Sequence, residues 1–151
     1  MKRRGWAGHL WTLLLIANLA FIWGNSMLPG SESQQLSDGF LHYLSLLLSP
    51  LGEYASMALR KAAHFSEFAC LGVLLTGFFR TRGRGSYVPA ALCGLLSACV
   101  DETIQIFSPG RSSSLADVWI DFAGVLTGIF LLHFGHILWT KTRKTHKSEE
   151  K

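Results

Sequence analysis

Charged residues are scarce in this chain, and long stretches contain none. They make up 16% of the 151 residues, whereas hydrophobic residues make up 49%. No Asp, Glu, Lys or Arg occurs between Arg4 and Glu32. The length fits one domain, and the apolar residues come in blocks longer than a soluble core needs. The composition therefore argues against a water-soluble domain and indicates an integral membrane protein.

Acidic residues are fewer than basic ones, which gives a formal net charge of +4. The Lys and Arg residues cluster at the two chain ends and in one short loop between apolar blocks. Basic residues are placed in this way at the cytoplasmic flanks of membrane helices. A nucleic-acid partner is therefore not expected.

Cysteine is also sparse, and its spacing supports no bond or ligand site. Cys70, Cys93 and Cys99 all lie inside apolar segments, without a C-x-x-C pair. Disulfide, redox and cysteine-bound metal sites therefore lack support. We expect three buried free thiols.

Four apolar segments are long enough to cross a bilayer. A hydrocarbon core of about 30 Å requires about 20 helical residues, and backbone groups in lipid must be paired within the segment. We therefore predict an all-α fold, an integral membrane four-helix bundle in one domain over residues 1–140, followed by a basic tail over residues 141–151. The spans are predicted at about residues 6–28, 62–79, 87–106 and 115–139.

Basic residues predict the orientation of these spans. Because positive residues favour the cytoplasmic side, both termini and the loop between the second and third spans belong in the cytoplasm. The segment over residues 29–61 and the loop over residues 108–114 then lie outside. The basic flanks are Lys2, Arg3, Arg4, Arg80, Arg82, Arg84, Lys141, Arg143, Lys144 and Lys147.

A cleavable signal peptide is the alternative for the first span. Gly24, Asn25 and Ser26 form a weak small-x-small cleavage site after a basic start. The apolar run is long for a signal peptide, and its removal would leave three spans and conflicting basic flanks. A membrane-spanning helix is therefore favoured.

A shorter apolar stretch lies between the first two spans. The sequence "SDGFLHYLSLLLSP" is too short to cross and is bounded by Asp38 and Pro50. We expect an extracytoplasmic interfacial or re-entrant helix here. The stretch "LGEYASMALRKAAHFSEF" after Pro50 has good helix formers and no breaker, so the second span is expected to begin as a helix outside the membrane.

Acidic residues from three spans are expected at one depth. Counted from the basic flank of each span at about 1.5 Å per residue, Glu67, Asp101 and Asp121 lie about 20, 25 and 30 Å away. All three reach the outer third of the bilayer. Charged groups at this depth cost a few kcal/mol each, so they normally mark a cavity, a relay or a ligand site.

Polar residues occupy one face of each of these helices. Gly124 and Gly128 form a small-residue seam that lets another helix approach closely. Asp121 shares their face and is therefore expected to point into the bundle. The helical spacings are Lys61, His64 and Glu67 at intervals of three, Asp101 and Gln105 at four, and Asp117, Asp121, Gly124 and Gly128 at four, three and four.

Several of these residues have simpler interpretations. Ser114 and Asp117 match a capping box at the start of the fourth helix. Arg60 is expected to anchor at the headgroups, and Lys61 and Arg111 have the alternative of structural salt bridges that bind nothing. His133 and His136, near the cytoplasmic end of the fourth span, are expected to pack at the interface.

Three stretches together resemble the VanZ-like family of bacterial membrane proteins. They are "SMLPGSESQQLS", "RKAAHFSEFACLGVLL" and "DETIQIFSPGRSSSLADVWIDFAGVLTG". Two positions depart from the family pattern: Phe68 stands where Tyr is usual, and Asp121 where Asn is frequent. The pattern falls on Arg60, Lys61, His64, Glu67, Asp101, Glu102, Gln105, Pro109, Gly110, Arg111, Asp117, Gly124 and Gly128.

The resemblance implies a multi-pass protein of the bacterial plasma membrane. The family takes its name from a protein that lowers susceptibility to teicoplanin, an antibiotic that acts at the outer membrane face on cell-wall precursors. A role in the cell envelope is therefore implied, with the lipid bilayer and a lipid-linked or cell-wall precursor as partners.

One functional hypothesis is a binding or remodelling module. Lys61 and Arg111 would hold an anionic headgroup or phosphate, while Gln105, Asp117 and Asp121 contact sugar or amine groups. The alternative is an intramembrane enzyme that acts on a lipid headgroup or lipid-linked precursor. Its catalytic set would be His64 as general acid or base, Glu67 or Asp101 as its orienting group, Glu102, and Arg111 against developing negative charge.

Metal binding and transport have weaker support in the sequence. One His and several carboxylates suit a divalent ion, but no H-x-x-x-H or comparable signature is present, so no metal or other cofactor is expected. A proton relay would need polar residues through the inner half of the membrane. Few occur there, chiefly Thr76, Ser97 and Thr127. The oligomeric state stays open.

Overall fold

Four helices make up the computed structural model, which describes residues 2–32, 35, 52–83 and 85–149. They are α1 (Lys2–Met27), α2 (Gly52–Thr81), α3 (Tyr87–Ile106) and α4 (Leu115–Glu149). Each contains an apolar segment of 20 to 27 residues, long enough to cross a membrane. The predicted all-α bundle of four spans is confirmed.

Three predictions concern regions outside the spans: the interfacial helix, the basic tail and the start of α2. The predicted interfacial or re-entrant helix falls on residues that lie outside the described part of the chain. The predicted basic tail continues α4, which remains helical through Glu149. α2 begins at Gly52, ahead of its apolar segment Met57–Thr81, so its first turns precede the part that is apolar enough to cross.

The closest packing in the bundle joins α2 to α4. A methyl group added at Gly128 would overlap the carbonyl oxygen of Ala69, and one added at Gly72 would overlap the backbone of Val125. Gly124 is blocked by α2 backbone in the same way. Small residues at these positions let the two backbones touch, so the predicted seam is confirmed.

Apolar side chains cover both the inside and the outside of the bundle. Phe68, Leu71 and Val125 form a fully buried core, whereas Trp119 and Phe130 are more than half exposed. An apolar exterior is expected where the surrounding solvent is lipid, because lipid tails are as apolar as a protein core.

The cysteines illustrate the same point. Cys70, Cys93 and Cys99 are free, but all three are exposed on the outer surface of the bundle. The prediction of buried thiols is therefore wrong. In a membrane protein an apolar neighbourhood in the sequence does not distinguish the core from the lipid-facing surface.

The bundle has two distinct ends. At the end called here the polar end, α1 and α3 finish and α2 and α4 begin; the basic end is opposite. The loop between α3 and α4 folds over the polar end, where Ser108 Oγ donates to the Ser26 carbonyl at 2.7 Å and Gly30 N–H donates to the Pro109 carbonyl at 2.9 Å. Gly110 turns this loop with φ 74°, a conformation that favours glycine.

Candidate functional site

Five polar side chains of the helices are buried at the polar end, besides Ser108 in the loop between α3 and α4, although the helices would otherwise need only apolar packing there. Each is less than 8% exposed, and the set draws on α1, α3 and α4. Buried polar groups require hydrogen-bond partners, and buried charges require partners or a bound ion. They are Ser26, Asp101, Glu102, Gln105 and Asp121.

Asp101 is the centre of a hydrogen-bond network between helices. Ser26 Oγ of α1 donates to its Oδ1 at 2.6 Å, and Gln105 Nε2, one turn along α3, donates to its Oδ2 at 2.9 Å. His64 Nδ1 of α2 lies 3.9 Å from the same Oδ2. The carboxylate of Asp101 thus faces side chains from two other helices.

Glu102 takes the role that the sequence suggested for Asp117. The Ser114 N–H donates to Glu102 Oε2 at 2.9 Å, and Ser114 Oγ accepts from the Ala116 N–H at 3.1 Å. Ser114 therefore caps α4 as expected. The capping box does not form, because the Ser114 N–H that Asp117 would have bound is occupied by a residue of α3.

Asp117 instead bridges two helices. Its carboxylate lies 2.6 Å from Lys61 Nζ of α2, and the two side chains are 28% and 39% exposed. The pair sits at the rim of the polar end, where partial exposure lowers its contribution to stability. From sequence, Lys61 and Arg111 have the alternative role of structural salt-bridge partners. Lys61 forms such a bridge.

Arg111 binds backbone at the end of α1. Its Nε donates to the Leu28 carbonyl at 3.1 Å and its Nη2 to the Asn25 carbonyl at 2.9 Å. A helix terminus leaves its last carbonyls without the usual intrahelical donors, and the Asn25 carbonyl also accepts from the Leu28 N–H at 3.2 Å. Burial lowers the pKa of the Arg111 guanidinium, as does the positive charge of Arg60, whereas nearby carboxylates raise it. Its ligand-binding role stays a prediction.

Glu67 lies beside α1 and contacts a residue that the sequence analysis did not select. Asn25 Nδ2 donates to Glu67 Oε1 at 3.3 Å. In the sequence analysis, Asn25 and Ser26 fall in a weak cleavage site and Ser26 begins one family stretch, without a role in the site. The signal that could have identified them is the presence of two adjacent polar residues at the end of an apolar span.

A small open cavity of about 20 Å³ lies among α2, α3 and α4. This volume holds about one water molecule or a small ion. Six of the nine predicted site residues line it, whereas Glu67, Asp101 and Arg111 do not. Arg60, expected only to anchor at headgroups, also lines it. The full lining is Arg60, Lys61, His64, Glu102, Gln105, Asp117, Ile120 and Asp121.

Asp121 points into the bundle, as its position on the seam predicted, and is 1% exposed. Among the described residues, neither of its carboxylate oxygens has a hydrogen-bond partner, and His64 Nδ1 has none either. His64, Asp101 and Asp121 each present an atom that binds metals, and these atoms lie within 4.8 Å of one another. The three come from three helices, which is why the sequence shows no local metal-ligand spacing although each residue was a candidate for the site.

The threonines nearer the basic end form local bonds, whereas His133 contacts a residue of α3. Thr76 Oγ1 and Thr127 Oγ1 donate to carbonyls four residues earlier in their own helices. His133, expected to pack at the interface, has its Nδ1 2.6 Å from the Tyr87 hydroxyl. Local bonds of this kind lend no support to a proton path across the membrane.

Comparison with known sequences assigns the chain to a family. The sequence model of the VanZ/LLP1 family matches residues 11–138, which include nearly all of the four spans. No curated protein and no solved structure matches the chain. The four membrane-crossing helices and the family match together indicate a multi-pass membrane protein. The chain belongs to the VanZ/LLP1 family.

Proposed function

We propose that the protein lies in the bacterial plasma membrane with both termini in the cytoplasm and the polar end facing outward. Support comes from the basic residues before α1, in the turn after α2 and in the last part of α4. Positive residues near short loops favour the cytoplasmic side. The polar end then meets the outer leaflet, where lipid-linked cell-wall precursors are found.

The proposed function is to bind or remodel the anionic headgroup of a lipid-linked or cell-wall-related molecule at the polar end. The observation that carries it is the pair of cations Arg60 and Lys61, which line a cavity whose other lining residues are polar or acidic except Ile120. Within the described residues Arg60 has no ion pair, and Lys61 shares a single, partly exposed carboxylate. Such cations bind phosphate through charge-assisted hydrogen bonds.

The acidic residues give the proposed site its selectivity. Glu102 and Asp117 stand beside the two cations at the cavity, and carboxylates accept hydrogen bonds from sugar hydroxyls and amines. The cavity itself is too small for a headgroup, so the phosphate would bind at its mouth while the lipid chain lies along the apolar surface. A precursor held in this way would be less accessible to teicoplanin, which would lower susceptibility.

Binding to the purified full-length protein tests this proposal. Lipid-linked precursor and a zwitterionic lipid of equal chain length would be compared by native mass spectrometry. Arg60→Ala and Lys61→Ala should each weaken precursor binding about tenfold or more, which corresponds to one charge-assisted contact. Arg82→Ala, an exposed cation at the basic end, is the matched control. Equal binding of both lipids, or no effect of the two cavity variants, would refute the proposal.

The alternative function is an intramembrane enzyme acting on the same class of molecule. His64 lines the cavity, and Asp101 stands behind it at 3.9 Å, an arrangement suited to orient an imidazole for acid-base chemistry. An enzyme should lose its product in lipid extracts with His64→Ala and with Asp101→Asn. A binding protein should yield no product, and its teicoplanin effect should follow Arg60 and Lys61 instead.

A further inference from the structure

We propose that the polar end binds one divalent transition-metal ion, Zn²⁺ or Mn²⁺, through His64, Asp101 and Asp121. The first argument is the state of Asp121. It is 1% exposed, and no described residue donates a hydrogen bond to either of its oxygens. A buried carboxylate without a donor or a cation is strongly unfavourable, and a bound cation removes that penalty.

The geometry of the three ligand atoms suits a metal ion. All lie within 4.8 Å of one another, and His64 Nδ1 is 3.9 Å from Asp101 Oδ2. Two ligands of a tetrahedral Zn²⁺ are about 3.4 Å apart, from bond lengths of about 2.0–2.2 Å. Small side-chain rotations would close this difference.

Two of the three protein cations at the polar end are directed elsewhere, and the third, Arg60, lines the same cavity without an ion pair among the described residues. Lys61 bonds to Asp117, and the Arg111 guanidinium donates to two backbone carbonyls of the segment that ends α1. Asp121 therefore lacks an ion pair among the described residues, although its carboxylate is near that of Asp101. A divalent cation would offset two carboxylates that otherwise repel each other.

The surrounding hydrogen bonds support a ligand role for Asp101. Ser26 and Gln105 donate to its two oxygens, which fixes the direction of the carboxylate. Hydrogen-bonded ligands of this kind are typical of metal sites, where outer groups orient the inner ones. His64 has its Nδ1 unpaired within the described part of the chain, so this nitrogen is available for coordination.

The ligand set indicates the class of metal. An imidazole together with two carboxylates favours Zn²⁺ or Mn²⁺ over Ca²⁺ and Mg²⁺, which prefer oxygen ligands alone. His64 and Asp121 also line the cavity of about 20 Å³, which leaves space for a water ligand. A headgroup phosphate could replace that water; this last step rests on the proposed function, whereas metal binding does not.

Metal titration of the full-length, untagged protein in detergent tests the inference. The protein would be stripped with EDTA, and Zn²⁺ or Mn²⁺ added back alone. We expect about one ion bound per chain and a rise in Tm on loading. His64→Gln and Asp121→Asn should weaken binding by at least about tenfold, since even outer-shell changes at metal sites cost about that much. His136→Gln, an exposed histidine at the basic end, should bind like the parent.

Asp121→Asn supplies a second signature. It removes the unpaired charge, so the metal-free variant should melt at or above the metal-free parent, and metal should no longer raise its Tm. The inference is overturned if the parent binds no stoichiometric ion, or if both cluster variants bind as the parent does. If Asp121→Asn fails to fold, His64→Gln decides. Metal binding without precursor binding would refute only the proposed function, and the reverse would refute only this inference.

Discussion

The two ends of the bundle hold their charged residues in opposite ways. At the polar end, Asp101 and Asp121 are buried between helices. At the basic end, exposed guanidinium groups lie over aromatic rings: that of Arg82 is 3.7 Å from the ring centroid of Phe78, and that of Arg143 is 4.1 Å from that of Trp139. One end holds acids inside, and the other displays cations outside.

This difference suggests that the cations of the basic end anchor the protein at the membrane surface, whereas the acids of the polar end belong to the candidate site. A cation over a ring at a membrane surface keeps its charge in water and its aliphatic chain against apolar atoms. It therefore needs no particular hydrogen-bond partner from another helix. A buried carboxylate depends on hydrogen-bond partners from other helices, so the loss of one partner lowers the stability of the fold. Substitutions that remove a contact should therefore have larger effects at the polar end and along the seam that leads to it.

The largest effect is expected at the seam, with Gly128→Val. The added side chain would overlap the Ala69 carbonyl and force α2 and α4 apart. We expect destabilisation of about 3 kcal/mol or more, or failure to assemble. Gly135→Val is the control because open space surrounds Gly135 one heptad further along α4. Thermal unfolding in detergent measures both; equal midpoints would contradict the close packing.

The next effect is expected for Arg111→Ala. It removes two charge-assisted bonds, which leaves the Leu28 carbonyl without this donor and the Asn25 carbonyl with only the Leu28 N–H, and we expect a loss of about 2–3 kcal/mol. Arg82→Ala removes a comparable guanidinium from the exposed end, where it bonds to Thr12 Oγ1 at 3.2 Å, and should leave the midpoint near that of the parent. A larger shift for Arg82→Ala would reverse the comparison.

Single hydrogen bonds sharpen the comparison further. Ser26→Ala leaves Asp101 Oδ1 without its donor in a buried site, and we expect a loss of about 1–2 kcal/mol. Tyr87→Phe removes the exposed bond to His133, also 2.6 Å long, and should lower stability by less than half as much. Chemical unfolding of both variants, with unchanged far-UV circular dichroism, would separate burial from bond length. Equal losses would show that burial is not decisive.

The smallest change in stability is expected for Asp117→Asn. The Lys61–Asp117 pair is partly exposed, so its loss should lower stability by less than about 1 kcal/mol. If the proposed function is correct, the variant should nevertheless alter precursor binding, because it frees Lys61 at the cavity. If both precursor binding and stability were unchanged, the Lys61–Asp117 pair would have no role in binding or in folding.

The helices were predictable from sequence, but most partners within the site were not. Hydropathy and length identified all four spans, and the spacing of Gly124, Gly128 and Asp121 identified an inward face. Periodicity predicts which face of its own helix a residue occupies, but it does not predict which residue of another helix it contacts. Ser26 is therefore the clearest omission, since its carboxylate partner is 75 residues away.

Capping shows the same limit from the other direction. Ser114 was expected to share a local motif with Asp117, and the local half of that expectation is present. The second acceptor came instead from Glu102, across the loop between α3 and α4. Local sequence rules assign groups to near neighbours, and a nearby helix can supply the same hydrogen bond with better geometry.

The attachment of α1 has a consequence for how the chain matures. α1 is translated before the other three helices, yet the partners of its last turn, Asp101, Ser108 and Arg111, are made 75 to 86 residues later. Until then its terminal carbonyls and Ser26 must rely on water or headgroups at the membrane surface. In a nascent chain arrested before Arg111, α1 would thus be weakly bound to the bundle and accessible to quality-control proteases. Translation of the loop between α3 and α4 would complete its packing.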